Sequence, residues 1–211
     1  MKILIVASPR SGSTNLFNAL YKGLNEYKGF CEPFNTGSNS LGNPISEYGL
    51  NYSNVIVKLL SYDLGFIIPS YQFIFNLFWN NAITLNELQD TLVKAFLDYK
   101  SNFDRVILLS RRNNIEAAES YSFASKTSSF HSSYVYKHDP EHFNRCLNLI
   151  QNHKNTIELF SKSSNISITY YEDLFLNNAS FSKDFLIKNN ITVDNLNSYL
   201  AYLDISKKYR K

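Results

Sequence analysis

The sequence has few cysteines, few charged residues and no long hydrophobic run. Its two cysteines, Cys31 and Cys146, lie far apart without a Cys-x-x-Cys spacing, so we expect free thiols and exclude a disulfide-stapled scaffold. Charged residues make up 18% of the chain and the net charge is +3, which is too weakly basic for a nucleic-acid-binding face and favours a small anionic partner. The most apolar stretch, residues 64–83, is interrupted by Gly65 and Pro69, so no membrane-spanning helix is expected.

The chain has the size and the composition of one folded domain. Hydrophobic residues make up 44% of its 211 residues, which is enough for a substantial core. No Pro- or Gly-rich linker divides it, so we predict a single domain over residues 1–211. The apolar stretch at residues 1–7 is too short for the hydrophobic region of a signal peptide, and we therefore expect a cytoplasmic protein.

Short apolar runs alternate with helical patterns along the chain. Runs rich in β-branched residues predict buried strands at residues 3–7, 55–59, 106–109 and 166–170. Apolar residues at helical spacing predict helices within residues 16–27, 85–99, 143–160 and 196–203, the second of which begins with a capping box of Thr84 and Glu87. The predicted fold class is α/β, with one parallel sheet flanked by helices. Loops that follow the strands should converge on the functional site.

The loop after the first predicted strand has the composition of an anion-binding site. Residues 8–14 read Ser-Pro-Arg-Ser-Gly-Ser-Thr and lead into a helix predicted to begin near Asn15. Small residues let backbone amides approach an anion, the helix N-terminus adds partial positive charge, and Arg10 adds a full one. The lysine and the loop length of a Walker A motif are missing, which disfavours a nucleoside triphosphate kinase. An ordinary strand-to-helix turn is the alternative.

Three segments together resemble the motifs of the sulfotransferase family. Pro9-Arg10-Ser11-Gly12-Ser13-Thr14 is similar to the family's 5′-phosphosulfate loop. The family's second segment, an arginine after a strand and a serine eight positions later, is matched by Arg112 and Ser120. Residues 170–174, Tyr-Tyr-Glu-Asp-Leu, resemble a third segment. A guanidinium and a hydroxyl are well suited to a phosphate, and Arg111 either shares this task or pairs with an acid.

This resemblance implies a P-loop-like, sulfotransferase-type three-layer sandwich that uses 3′-phosphoadenosine 5′-phosphosulfate without a metal ion. Two departures stand out: the C-terminal Arg-Lys-Gly of the family is missing, and Asn15 replaces the aromatic residue that stacks on adenine in many members. The implied donor-binding residues are Pro9, Arg10, Ser11, Gly12, Ser13, Thr14, Arg112, Ser120 and Tyr171, the last near the nucleotide's 3′ side.

Sulfuryl transfer also requires a base for the acceptor proton and positive charge near the leaving phosphate. Arg10 suits the second task. Cys31-Glu32-Pro33-Phe34 resembles the Glu-Pro segment of carbohydrate-type sulfotransferases, which implies Glu32 as the base, although a solvated glutamate is the alternative. Lys58 lies in a buried strand and requires a partner or a ligand, so it either contacts the sulfuryl group or acceptor or extends to the sheet edge. His131 is a further candidate for the base.

Two other patterns carry less specific information. His138 and His142 fit the inverted zinc motif H-x-x-E-H, but Pro140 predicts a helix that starts there and leaves His138 outside, so we predict no metal site. The aromatic residues within 62–79 fit an acceptor-binding wall, a lid, a homodimer contact or core packing.

The predicted activity is transfer of a sulfuryl group to a hydroxyl of a carbohydrate, glycolipid or other small acceptor. A small-molecule kinase with magnesium at Glu172 or Asp173 is one alternative. A nucleotide- or glycan-binding module without catalytic activity is the other.

Overall fold

The computed structural model describes residues 1–33, 51–66, 77–78, 80–127, 139–176 and 179–208. Strands and helices alternate within these ranges. The strands are β1 (Lys2–Ala7), β2 (Lys28–Cys31), β3 (Val55–Leu60), β4 (Arg105–Ser110) and β5 (Ile168–Tyr170). The helices are α1 (Ser13–Gly23), α2 (Leu85–Lys100), α3 (Asn114–Thr127), α4 (Pro140–Ser164), α5 (Tyr171–Phe175), α6 (Ala179–Lys188) and α7 (Leu196–Lys208), and a 3₁₀ turn covers Asp63–Phe66.

The strands form one sheet in the order β2-β3-β1-β4-β5, and every neighbouring pair is parallel. Ile5 of β1 lies opposite Lys58 of β3 on one side and Ile107 of β4 on the other. The prediction of an α/β fold with a parallel sheet flanked by helices is confirmed. The central position of β1 explains its continuous apolar sequence, because residues 3–7 are covered on both faces.

Alternate residues of β1 point into two separate cores. Ile3, Ile5 and Ala7 pack in one core with α1, α5, α6 and α7. Leu4 and Val6 pack in the other with α2 and α4. The sheet is therefore the middle of three layers, as expected for strands that alternate with helices.

Local signals place the helix starts where the sequence predicts them. The capping box of α2 is formed, since the Glu87 amide donates to Thr84 Oγ1 at 3.3 Å and the Thr84 amide to Glu87 Oε2 at 2.7 Å. Pro140 is in the first turn of α4, and the His142 amide donates to Asp139 Oδ1 at 3.1 Å. His138 lies outside the described residues. Among the helices that the structure describes, none is long and apolar enough to cross a membrane.

Several elements differ from the sequence-based expectation, among them β5, which begins at Ile168 rather than at residue 166. Helix α1 ends at Gly23, so Tyr27 is not helical, and the Gly23 carbonyl accepts hydrogen bonds from the amides of Asp194 and Asn195. Strand β2 was not predicted, because its four residues, Lys-Gly-Phe-Cys, are mostly exposed at the sheet edge and have no apolar run. Its pairing with β3 nevertheless positions part of the candidate site.

Candidate functional site

The chain topology creates a crevice between β1 and β4. The chain leaves β1 through α1 towards β2 at one edge, and it leaves β4 through α3 and α4 towards β5 at the other. Adjacent parallel strands whose connections diverge leave a crevice beyond their carboxyl ends, which is where such sheets bind ligands. The loop of residues 8–12 and the residues 111–113 flank this crevice.

The loop after β1 is folded tightly against β4. The Ser8 amide donates to the Leu109 carbonyl at 3.0 Å, and Ser8 Oγ lies 3.4 Å from Ser110 Oγ. Ser11 is buried and its hydroxyl donates to the Ser8 carbonyl at 2.7 Å, which closes the loop on itself. The small residues predicted for an anion-binding loop therefore form a compact turn.

Gly12 is required by the loop geometry for two reasons. It precedes α1 with φ +77°, in the left-handed region that other L-residues rarely adopt. A Cβ atom here would also lie 2.6 Å from Phe175 Cε2 and 2.8 Å from Tyr171 Cδ2. The third motif segment thus packs directly on the first, and α1 presents its N-terminal amides beside them.

Arg10 connects the first motif segment with the second. Its Nε donates a hydrogen bond to Ser120 Oγ at 2.8 Å, and Ser120 lies within α3. Burial lowers the pKa of Arg10, and the nearby positive charge of Arg111 lowers it further. We call Arg10, Gly12, Arg111, Ser120 and Tyr171 the anion crevice.

Arg112 points to the segment after β5. Its Nη1 and Nη2 donate to the two carboxylate oxygens of Asp173 at 2.7 and 2.6 Å, and its guanidinium carbon lies 4.2 Å from the centre of the Tyr170 ring. The hydrogen bond with Asp173 raises the pKa of Arg112. The amides of Arg112 and Asn113 donate to Glu172 at 3.0 and 3.1 Å. These contacts join the loop after β4 to the start of α5.

A second group of ionisable residues lies at the carboxyl ends of β2 and β3. The parallel register places Cys31 opposite Lys58, and the Glu32 amide donates to the Lys58 carbonyl at 2.8 Å. Lys58 is 1% exposed, and its Nζ forms an ion pair with the Glu32 carboxylate, which is 23% exposed. We call Cys31, Glu32, Lys58 and Asp63 the Lys58 cluster.

Burial and charge act against each other in this cluster. Burial lowers the pKa of Lys58, while the charges of Cys31 and Asp63 raise it. Burial raises the pKa of Asp63 to about 6, although the Leu60 amide donates to its Oδ2 at 2.7 Å. A side-chain hydrogen bond between Thr14 and Cys31 connects the cluster to the first turn of α1. The anion crevice and the Lys58 cluster therefore adjoin the same helix N-terminus.

The structure brings together most of the residues that the sequence singles out. Residues 9–14 form the loop, Ser120 contacts Arg10, Tyr171 contacts Gly12, and Glu32 and Lys58 contact each other. Arg112 is directed to Asp173 rather than to Arg10 and Ser120. Cys31 and Cys146 are free thiols, as predicted. His131 and most of the aromatic stretch within residues 62–79 lie outside the described residues.

One buried polar group was not predicted from the sequence. Ser61 Oγ lies 2.7 Å from His153 Nδ1, and the His153 ring lies 4.1 Å from the centre of the Tyr62 ring. Burial lowers the pKa of His153 to about 3, so the imidazole is neutral. The sequence carries no signal for this pair, because His153 occupies an ordinary helical position and its partner is 92 residues away.

No protein-family model matches this chain, and no curated protein matches it.

Proposed function

We propose that this protein is a sulfotransferase with a P-loop-like, sulfotransferase-type domain. It transfers the sulfuryl group of 3′-phosphoadenosine 5′-phosphosulfate to a hydroxyl of a carbohydrate, a glycolipid or another small acceptor. The observation that carries the proposal is the convergence of the three motif segments in one crevice. Arg10 and Ser120 are 110 residues apart and form a 2.8 Å hydrogen bond, while Gly12 packs on Tyr171.

The crevice has the groups that an anionic nucleotide requires. The amides at the start of α1 and the side chains of the loop, from Pro9 to Thr14, would bind the 5′ end. Ser120 and an arginine after β4, which the motif assigns as Arg112, would bind the 3′-phosphate. Tyr171 lies against both Gly12 of the loop and the guanidinium of Arg111, where it would border the 3′ side of the nucleotide.

The residues also supply the two catalytic tasks. In sulfuryl transfer a bond forms between the acceptor oxygen and sulfur, the bond from sulfur to the phosphate oxygen breaks, and the acceptor proton must be removed. Arg10, in the loop that would bind the 5′ end, would stabilise the negative charge that develops on the phosphate. Glu32 would accept the proton, and its ion pair with Lys58 holds the carboxylate in position.

The kinase alternative has less support from the contacts of the acidic residues. Magnesium would have to bind at Glu172 or Asp173. Glu172 accepts two backbone hydrogen bonds from residues 112 and 113, and Asp173 is paired through both oxygens with Arg112. A metal ion would have to displace these donors, so we expect transfer to continue in the presence of a chelator.

Calorimetry with two nucleotides tests the choice of donor. We expect adenosine 3′,5′-bisphosphate to bind, and ADP with magnesium to bind at least tenfold more weakly, since only the first has a phosphate for the site at Ser120. Tighter binding of ADP with magnesium would favour the kinase.

Labelled sulfate transfer to a panel of sugars and phenols tests the reaction itself. Glu32→Gln should reduce transfer by at least a hundredfold and leave the affinity for the bisphosphate within about threefold. The control is Glu141→Gln, because Glu141 is 81% exposed on α4 and should leave both quantities unchanged. Nucleotide binding without transfer to any acceptor would indicate a binding module instead.

A further inference from the structure

Arg111 and Arg112 are consecutive in the sequence and have opposite environments. The Arg111 side chain is 12% exposed, whereas that of Arg112 is 50% exposed. Consecutive residues after a strand commonly point in opposite directions, so only one of them faces the crevice. The sequence motif assigns the phosphate to Arg112 through its spacing from Ser120, which contains no information about direction.

The hydrogen bonds of Arg112 are directed away from Arg10. Two of its nitrogens form a bidentate contact with Asp173, at 2.7 and 2.6 Å, and its planar group stacks on Tyr170. Its own amide donates to Glu172. Arg112 thereby fixes the position of residues 170–173, from which Tyr171 reaches the loop after β1.

Arg111 lies on the crevice side. Its guanidinium carbon is 4.6 Å from the centre of the Tyr171 ring, the same ring that packs on Gly12. Its positive charge is close enough to Arg10 to lower the pKa of that residue, second only to the effect of burial. Arg10 in turn donates to Ser120. Arg111, Arg10 and Ser120 therefore surround one region of the crevice.

The contacts of Arg111 leave it able to accept an anionic ligand. Its Nη2 pairs with Glu116, whose side chain is 54% exposed, so water competes for the carboxylate and the pair contributes less free energy than a buried one. Its Nε is buried, and among the described residues it has no hydrogen-bond partner; its ion pair with Glu172 Oε1 is long, at 3.9 Å. A buried donor of a charged group without an acceptor is unfavourable and would gain from a bound anion.

We infer that Arg111, with Ser120, binds the ribose 3′-phosphate of the donor, and that Arg112 is a positioning residue that holds the Tyr171 segment. This inference rests on the proposed function and changes the assignment that the sequence motif makes. A dianionic phosphate beside Arg111 would pair with its guanidinium and reduce the repulsion between Arg111 and Arg10. The hydroxyl of Ser120 supplies a neutral donor to the same group.

The test compares two nucleotides that differ only in the 3′-phosphate. Calorimetry gives the preference of each protein for adenosine 3′,5′-bisphosphate over adenosine 5′-monophosphate. Arg111→Gln should lower this preference roughly tenfold to a hundredfold, the value of a charge-assisted phosphate contact. The matched control, Arg112→Gln, should change it by less than about fivefold, because an exposed ion pair is weak. Loss of structure would lower both affinities together and leave the preference unchanged.

Arg111→Lys keeps the charge and guards against misfolding of the glutamine variant. It should retain part of the preference, because lysine keeps the positive charge but loses the planar fork of donors. The inference is overturned if the preference for the bisphosphate falls in Arg112→Gln but not in Arg111→Gln. It is also overturned if both variants lose this preference equally, or if neither loses it. If the unsubstituted protein shows no preference for the bisphosphate, the proposed function fails together with the inference.

Discussion

The anion crevice and the Lys58 cluster adjoin the same helix N-terminus but hold their charges differently. In the crevice, Arg10 contacts a neutral hydroxyl, and Arg111 and Arg112, which are 12% and 50% exposed, pair with carboxylates. In the cluster, a lysine that is 1% exposed pairs with Glu32 next to Asp63, whose pKa burial raises to about 6. Partly hydrated cations can exchange their partners for a ligand, whereas a buried ammonium cannot lose its partner cheaply.

This difference suits the two regions to different tasks. A region that binds and releases a nucleotide requires contacts that exchange at low free energy. A region that holds a proton acceptor in a fixed place requires contacts that persist, because a base must be positioned before its charge is useful. We therefore expect the loss of an ion pair to reduce the free energy of unfolding more in the Lys58 cluster than in the anion crevice.

The largest effect should come from breaking the ion pair in the Lys58 cluster. Lys58→Met leaves the Glu32 carboxylate beside an apolar side chain, and we expect the free energy of unfolding to fall by about 2–4 kcal/mol. The partial exposure of Glu32, 23%, keeps the loss below that of a fully buried charge. Urea unfolding measures it.

A double substitution tests whether the loss in Lys58→Met comes from the pair itself. Adding Glu32→Gln to Lys58→Met removes the uncompensated charge and should restore at least half of the lost stability. If the two substitutions are simply additive, the pair is not coupled and the contrast with the crevice disappears.

The next largest effect should follow from Gly12→Ala in the crevice loop. The new Cβ would lie less than 3.0 Å from two aromatic carbons, and the alanine would have to adopt φ +77°. We expect the free energy of unfolding to fall by about 2–3 kcal/mol and the binding of adenosine 3′,5′-bisphosphate to become undetectable. The control is Gly29→Ala on β2, where the Cβ meets the rings of Phe17 and Tyr21 at 2.9 Å. Gly29 has no positive φ and lies outside the loop, so nucleotide binding should persist. Thermal unfolding and calorimetry measure both variants.

The sequence predicts those parts of the fold that depend on local signals. Strands β1 and β3 differ from their predicted bounds by one residue at one end, and β4 by one residue at each end, because an apolar run buried on both faces is specific for an interior parallel strand. The capping box at Thr84 and the proline at position 140 mark helix starts through contacts within a few residues. The predicted end of α1 was wrong. The helix ends at Gly23, whose carbonyl accepts hydrogen bonds from the amides of Asp194 and Asn195, and these residues are far along the chain.

The candidate site divides in the same way. The compact loop before α1 could be predicted from residues 8–14 alone, because its small residues and the start of α1 are consecutive. The pair of Glu32 and Lys58 was not predictable, since the two residues are 26 positions apart and meet through the register of β2, an edge strand without a sequence signal. The different directions of Arg111 and Arg112 depend on α5, which the sequence does not place.

The pH dependence of the free energy of unfolding also distinguishes the two regions, because Asp63 belongs to the Lys58 cluster and not to the anion crevice. Its folded-state pKa of about 6 lies above the value of 3.8 for an unperturbed aspartate, so the folded protein retains the proton longer than the unfolded chain. Protonation of Asp63 stabilises the folded state fully below about pH 4, and this stabilisation is lost as the pH rises to about 6. The free energy of unfolding should fall by at most about 1.4 kcal/mol per pH unit in this range. Asp63→Asn should abolish this slope in unfolding curves measured from pH 4 to 6.

The Asp63→Asn variant must be compared with the unsubstituted protein, because His153 changes the free energy of unfolding with pH in the opposite direction. Burial lowers the pKa of His153 to about 3, so its contribution is lost as the pH falls below about 6.5. His153 is present in both proteins and cancels in the difference. If the difference in free energy of unfolding between the two proteins stays constant from pH 4 to 6, Asp63 has an ordinary pKa and is not buried in the cluster.

The smallest effect should be that of the ion pair at the edge of the crevice. Arg112 is 50% exposed and Asp173 27%, so a double-mutant cycle with Arg112→Gln and Asp173→Asn should give a coupling of about 0.5–1 kcal/mol despite the bidentate geometry. The pair of Arg145 and Glu141, at 65% and 81% exposure, sets the baseline and should give less than about 0.5 kcal/mol. A coupling for Arg112 and Asp173 as large as that for Lys58 and Glu32 would contradict the idea that the crevice holds its charges loosely. A small value would mean that the fork of Arg112 selects the orientation of the Tyr171 segment while adding little to its stability.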